Sequence, residues 1–399
     1  MDLNQTKQNV PPLVLNESLR RLAIHVREEA DEEDTSLPDP SFEKAPNIRS
    51  LLFFPNPESM LKHRSWMRSV CNNFRLLRVL DLNGFDIGGS LPKEIGNLIY
   101  LRFLSLNQTW VSKVPSSIGN LSYLEILDLR VKYGDIMLPN VLWKLRRLRH
   151  LYFPFVKPLC KGYFIQGYKI KRSQMIRLDG LQYLETLENV DMDGVEVKGL
   201  LKLRTIRKLT TLRVSKKEDL DSILKFSSIK RLSFKMYGSI MNEDQMILSS
   251  CQVLYKLNIL GEIHGPLRFE MFPKTLVYLC LEHCNVKNDP MPVFEWLPQL
   301  KNLILYNCYS GDKMECSAGG FPQLKHLEIS FLSELREWKV GSGALPNLEK
   351  MEIFRSPNLV LPDGLPSCVN IGCNPCVKGI EKYNSCPYYK GHFEWDQKI

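Results

Sequence analysis

The residue types best suited to chemistry gather near one end of the chain. Cys368, Cys373, Cys376 and Cys386, with His392 nearby, offer thiolates and an imidazole. Such ligands suit Zn²⁺, and a structural zinc can staple a short terminal segment. The spacing, C-x4-C-x2-C-x9-C, matches no standard finger. The segment therefore reads as a thiol-containing cap, and neither metal nor cofactor is expected. Elsewhere the chain has no G-x-x-x-x-G-K-[ST] to cradle phosphates, no G-x-G-x-x-G after a strand and no H-E-x-x-H. Its seven histidines are scattered outside any nucleophile motif. No catalytic residue is nominated, and the chain reads as a non-enzyme. Eleven cysteines is an odd count, and no apolar N-terminal run follows a Lys or Arg. The thiols are therefore expected to be reduced and intracellular. No apolar run approaches the ~18 residues of a membrane span.

What must position any functional residue is a repeat. LPKEIGNLIYLRFLSL, starting at Leu91, is followed at an offset of 23 by VPSSIGNLSYLEILDL, which ends at Leu129. Leu101, Leu104 and Leu106 match Leu124, Leu127 and Leu129. L-x-x-L-x-L recurring every ~20–29 residues is the signature of leucine-rich repeats. Each unit makes one short strand, and its leucines are buried only when the next unit stacks on it. Triplets start at Leu19, Ile48, Leu77, Leu101, Leu124, Leu148, Leu184, Leu209, Ile229, Leu254, Leu276, Leu300, Leu324 and Leu348. The expected fold is an α/β solenoid, a leucine-rich-repeat horseshoe of about 14 repeats with a parallel β-sheet on the concave face. Residues 1–18 form a lead-in, 19–360 the solenoid, 154–180 a basic irregular insertion, and 361–399 a C-terminal cap that loses the repeat. Apolar residues at helical spacing, among them Trp66, Val70 and Phe74, predict a helix over 61–74.

Side chains alternate along a strand, so the residues between the leucines face the concave side. That face is expected to carry Phe103, Asp128, Arg130, His150, Tyr152, Arg213, Arg231, Lys235, Lys256, Tyr278, Glu282, Tyr306, Glu328, Glu352 and Phe354. Aromatics and arginine are the usual anchors of protein interfaces. Thr109, Cys284 and Cys308 fall three residues after the last strand leucine, where a small polar side chain can satisfy backbone groups leaving the strand. They are expected to be structural.

The formal net charge is +9, unevenly placed. Lys144–Lys235 holds 22 Lys or Arg against 9 Asp or Glu, which leaves the remainder slightly acidic. Six carboxylates lie between Glu28 and Asp34, which favours an exposed loop. The basic block suits nucleic acid or an acidic protein surface. No RNA- or DNA-binding motif accompanies it, so nucleic acid is the less favoured partner.

RRLAIH at Arg20, LRVLDL at Leu77, LPKEIGNLIYLRFLSL at Leu91, GLQYLETLENV at Gly180, FPQLKHLEI at Phe321 and the closing GHFEWDQKI together resemble one family. It is the coiled-coil nucleotide-binding leucine-rich-repeat class of plant intracellular immune receptors. Only the repeat region of that class is matched; its phosphate loop has no counterpart, so ATP or ADP binding is not implied. The resemblance implies recognition of a pathogen effector or a guarded host protein, mostly by the C-terminal repeats. It also implies autoinhibitory contact between the early repeats and a nucleotide-binding (NB-ARC type) module, in cis or in trans. Arg146, Arg147 and Arg149 are the docking residues expected there. The implied location is cytoplasmic, nuclear or at the inner face of the plasma membrane. Two alternatives stay open: a leucine-rich-repeat substrate adaptor of a ubiquitin ligase, and an RNA-binding scaffold.

Overall fold

In each repeat the middle apolar residue of the triplet lies within a short strand and points inward, as Leu80 does in Val79–Asp81 and Leu257 in Lys256–Leu260. The computed structural model describes residues 19–25, 47–54, 64–85, 87–132, 136–154, 158–159, 163–164, 175–214, 216–224, 226, 228–235, 251–263, 265–360 and 370–373. The chain divides into two units, Met1–Tyr237 and Gly238–Ile399.

The first unit opens with strands β1 (Arg21–His25), β2 (Ser50–Phe54), β3 (Val79–Asp81), β4 (Phe103–Ser105), β5 (Ile126–Asp128) and β6 (His150–Tyr152). A small antiparallel pair follows, β7 (Pro158–Leu159) with β8 (Tyr163–Phe164). Then come β9 (Thr186–Asp191), β10 (Lys208–Arg213) and β11 (Arg231–Lys235). All except β7 and β8 form one parallel ladder in chain order. Leu80, Leu104, Leu127, Leu151 and Leu187 stack in register and are fully buried. The helix expected over 61–74 is described as α1 (Arg64–Asn73), which buries Trp66, Met67, Val70 and Cys71. The next return segments are single 3₁₀ turns, Lys93–Asn97, Ser116–Asn120 and Leu142–Lys144. A glycine in the following return segment permits close stacking on the last of these turns: a Cβ on Gly180 would lie 2.0 Å from the Trp143 carbonyl oxygen.

The second unit contains β12 (Lys256–Leu260), β13 (Tyr278–Glu282), β14 (Asn302–Tyr306), β15 (Lys313–Cys316), β16 (His326–Ser330), β17 (Glu337–Val340), β18 (Lys350–Phe354) and β19 (Asn370–Cys373). β12, β13, β14, β16, β18 and β19 form a parallel ladder, and β15 pairs with β17 in a small sheet of its own.

Each of the fourteen triplets corresponds to a strand, and three details refine the sequence reading. The repeat extends one strand further: β19 lies within the segment expected to cap, pairing Lys350 with Asn370 and Met351 with Ile371. The triplet at Leu209 is shifted. Leu209 is the middle residue, opposite Leu187 and Leu232, and Ile206, Leu209 and Thr211 are buried, as is Val214 beyond them, so the triplet begins at Ile206. Arg213 follows a register shift, and its backbone pairs with Asp191. Finally, 154–180 leaves the ladder intact, since β6 pairs directly with β9, Leu151 opposite Leu187. The lead-in 1–18, the acidic segment at Glu28–Asp34, Cys368, Cys376, Cys386, His392 and the side chain of Cys373 lie outside the described residues.

Two substitutions test this packing. Leu104→Ala removes a fully buried side chain and should destabilise by about 2–5 kcal/mol. Gly180→Ala must push the Trp143 backbone away and should also lower the melting temperature. Thermal unfolding followed by circular dichroism checks both; an unchanged midpoint for either would contradict the packing described.

Candidate binding surface

Neighbouring parallel strands lie ~4.8 Å apart, so outward side chains at one repeat position touch their counterparts in the next repeat. The open face of each unit is therefore a lattice of cross-repeat contacts. In the first unit one row runs Val79, Phe103, Ile126, His150, Thr186, Lys208 and Arg231. It grades from apolar to basic. His150 Nδ1 lies 3.0 Å from Thr186 Oγ1. Burial lowers the pKa of His150 and favours the neutral imidazole.

The second row places Asp128, Tyr152 and Glu188 side by side. Asp128 is 6% exposed, because Arg130 closes over it. The Arg130 Nη2 donates to Asp128 Oδ2 at 2.6 Å, Nε to Oδ1 at 2.9 Å, and the backbone N–H to Oδ1 at 3.0 Å. The same guanidinium lies 4.6 Å from the centre of the Tyr152 ring, a cation–π geometry. The Asp128 hydrogen bond holds the Arg130 pKa above its ordinary value. Burial, then the Glu188 charge, push the Tyr152 phenol up. Glu188 is neutralised by Lys208 Nζ at 2.8 Å.

In the second unit Lys256 Nζ lies 4.5 Å from the centre of the Tyr278 ring opposite it. Tyr306 faces Glu282 on one side and Ser330 on the other, and Ser330 faces Phe354. Glu328 and Glu352 sit directly opposite each other. Glu328 is 5% exposed and accepts from Ser330 Oγ at 2.8 Å. Glu352 takes His326 Nε2 on one oxygen and Lys350 Nζ on the other, both at 2.8 Å. The His326 hydrogen bond, ahead of Lys350, draws its pKa down to about 2. The side chains of Arg213 and Lys235 are outside the described part.

The three arginines expected to dock a partner lie beside the face, on the segment leading into β6, and all are exposed. Arg147 stacks on the Tyr123 ring at 4.5 Å, and Tyr123 in turn lies 6.0 Å from Tyr100. Arg149 is engaged within the chain: its Nη2 and Nε reach Glu185 Oε1 at 2.6 and 2.9 Å. The structural trio behaves chemically as its position suggests. Thr109 Oγ1 donates to the Leu106 carbonyl at 2.7 Å, and the Cys284 thiol contacts the Glu282 carbonyl at 3.4 Å. Burial pushes the Cys284 and Cys308 thiols well up, so neither presents a thiolate near neutral pH.

One strip was not singled out from the sequence. His283, Asn307, Phe331 and Arg355 each follow the last residue of β13, β14, β16 and β18, with φ of 52°, 43°, 57° and 46°. That left-handed turn aims successive side chains along the strand ends. His283 Nδ1 is 2.7 Å from Asn307 Nδ2. The His283 and Tyr306 rings are 5.4 Å apart, Tyr306 and Phe331 4.8 Å, and Arg355 lies 5.1 Å from the Phe331 ring centre. A left-handed position is usually marked by Gly or Asn, and only Asn307 carries that mark.

A family model described as leucine-rich repeat region matches residues 47–360. The probable disease resistance protein RXW24L of Arabidopsis thaliana is 33% identical over 356 residues, covering 87% of this chain and 37% of that protein. Disease resistance protein RPP8 of Arabidopsis thaliana is 35% identical over 318 residues, 75% of this chain and 33% of that protein. The chain thus spans about a third of the length of these relatives. Among solved structures, an internalin from Listeria monocytogenes superposes with a TM-score of 0.53 at 16% identity, covering 81% of this chain and 87% of that one. At that identity the likeness concerns the fold alone. Among the described residues, no helix is long and apolar enough to cross a membrane.

The Glu352 pairing makes a pH prediction. Its folded pKa lies below the ordinary 4.5, so ionised Glu352 stabilises the fold above that value. The contribution is lost as pH falls from about 4.5 towards about 2. Glu352→Gln should therefore be less stable than the parent at neutral pH, with the difference in melting temperature shrinking across that window. A difference independent of pH would refute the assignment.

Proposed function

Since the chain belongs to the leucine-rich repeat region family, and resembles plant disease-resistance proteins over most of its length, we propose that it is a protein-binding region that carries out no catalysis. Its partner in this reading is a pathogen effector, or a host protein that an effector modifies. The observation that supports this best is the strip in the second unit. His283, Phe331 and Arg355, each at a left-handed turn, meet in a chain of contacts across successive repeats through Tyr306, the last residue of β14. Aromatic and Arg anchors of this kind supply most of the energy in protein interfaces, and prior fixing reduces what binding must order.

The first unit suits a different contact. Arg146 and Arg147 are exposed, and Arg147 stacks on Tyr123 of the Tyr100–Tyr123 pair, which fits an acidic surface of a nucleotide-binding module in the same or another chain. Cytoplasm, nucleus or the inner face of the plasma membrane would accommodate both contacts.

The test is co-purification of the tagged chain from leaf tissue, with and without a pathogen. Tyr306→Ala combined with Phe331→Ala should cost the captured protein at least ~30-fold in affinity, about 2 kcal/mol. Lys274→Glu, a control at an exposed residue, should bind normally. Equal recovery with the double variant would place binding elsewhere. Reversing Arg146 and Arg147 to Glu should separately weaken association with a nucleotide-binding module, more so at low salt; association that ignores both changes would exclude docking through this edge.

A further inference from the structure

We propose that His326, Glu328 and Glu352 form a binding site for a divalent transition-metal ion of the zinc class on the open face of the second unit. The starting point is a like-charge contact. Glu328 on β16 and Glu352 on β18 are directly opposite in register, an arrangement that costs stability, offset in part where His326 and Lys350 meet Glu352 and offset further by a cation shared between the carboxylates. Solvent does little to screen them, because Glu328 is 5% exposed and the Glu352 side chain 17%. His326 precedes Glu328 by two residues on the same strand and so shares its face. One ligand atom from each of the three lies within 4.8 Å of the others.

The chemistry of the set fits a particular ion. Imidazole nitrogen with carboxylate oxygens suits Zn²⁺ and its first-row neighbours, whereas Mg²⁺ and Ca²⁺ take oxygen alone. Bonds of ~2.0–2.2 Å to zinc put tetrahedral ligand atoms about 3.3 Å apart. His326 Nε2 and Glu352 Oε2 are already at 2.8 Å, and rotation of the glutamate side chains covers the remaining separation.

The supporting contacts are built. Ser330 Oγ donates to Glu328 Oε1, and Lys350 Nζ holds Glu352 Oε1, each at 2.8 Å. Each carboxylate is thereby fixed through one oxygen, as metal-ligating carboxylates usually are, and the second oxygen of Glu352 faces His326 Nε2. The ion would replace the proton of the His326–Glu352 contact, so binding to the protonated form releases H⁺ to solvent. Three protein ligands leave a fourth position for water or a partner's donor group.

The measurement is a titration of the whole chain with Zn²⁺ by calorimetry at neutral pH, repeated with Co²⁺ by absorption. Cobalt separates this site from the cysteines near the C-terminal end, because thiolate ligation gives an intense charge-transfer band and a histidine–carboxylate site does not. His326→Gln keeps a donor for Glu352 but removes the imidazole ligand, and Glu328→Gln removes a charged one. The expected result is that each variant binds one equivalent of Zn²⁺ fewer than the parent, with the cobalt thiolate band unchanged. Mg²⁺ should not compete. The parent alone should gain melting temperature through this equivalent. Equal stoichiometry in parent and both variants, or a parent that binds ions only through thiolates, would reduce the cluster to an ion-pair network and overturn the proposal. Should His326→Gln melt early, Glu328→Gln read at a temperature where it is folded decides the matter.

Discussion

The whole architecture depends on one constraint: a repeat cannot bury its own leucines. Leu104 is enclosed only because Leu80 and Leu127 lie in register on either side. The backbone enforces that register. The N–H of Arg102 reaches the carbonyl of Arg78, Glu125 that of Arg102, Arg149 that of Glu125, Glu185 that of Arg149, and Arg207 that of Glu185, each at 2.8 Å. In the second unit Val277, Lys301, Lys325 and Glu349 continue the same pattern, starting from Tyr255. One residue added within a strand would turn every later leucine outward. Residues added between strands leave the ladder unaffected, which is why the 36-residue step from His150 to Thr186 is accommodated.

The same register decides what a charge on the surface means. At the strand entries the sign alternates from repeat to repeat: Arg102 pairs with Glu125 at 3.6 Å and Arg149 with Glu185 at 2.6 Å. Arg177 closes on Asp179, and Lys208 on Glu188. Part of the positive charge between Lys144 and Lys235 is thus balanced locally, and it is less available to a distant partner than the count of basic residues suggests. Exposed pairs of this kind add little stability, ~0–1 kcal/mol each. Their effect is to set which faces repel and which attract. Lys208 sits opposite Arg231 in the ladder, and Glu188 offsets the lysine there.

The sequence was most legible where the physics is periodic. Leucines in the core have no choice of neighbour, so their spacing alone placed fourteen strands and put Phe103, Tyr152, Tyr278 and Glu352 among the outward positions. Reading failed where a polar residue took a core position. Thr211 is buried in place of an apolar third residue, which moves the start of that triplet from Leu209 to Ile206. It failed also where polar groups meet only in space. His326 and Glu352 are 26 residues apart, and no local motif announces their contact; the repeat length and strand register together would have found it. β19 escaped because Asn370–Cys373 has no leucine triplet.

The left-handed residues after the strands show how backbone and side chain divide the work. A glycine would adopt that turn without cost, whereas a residue with a Cβ there stores roughly 1–2 kcal/mol. Asn307 reduces the penalty, as asparagine tolerates the region. Phe331 and Arg355 do not, yet both occupy it, at φ 57° and 46°. The stack that carries them is strong enough to hold the turn, because Leu332 and Ser356, the next residues, are fully buried. What the bulky side chains gain is contact with neighbouring repeats: Phe331 with Tyr306, and Arg355 with Phe331. The direction of each side chain is thereby set by the buried residue beside it rather than by its own rotamer freedom. A partner meeting this strip would encounter rings and a guanidinium already in place, and would lose little entropy in ordering them.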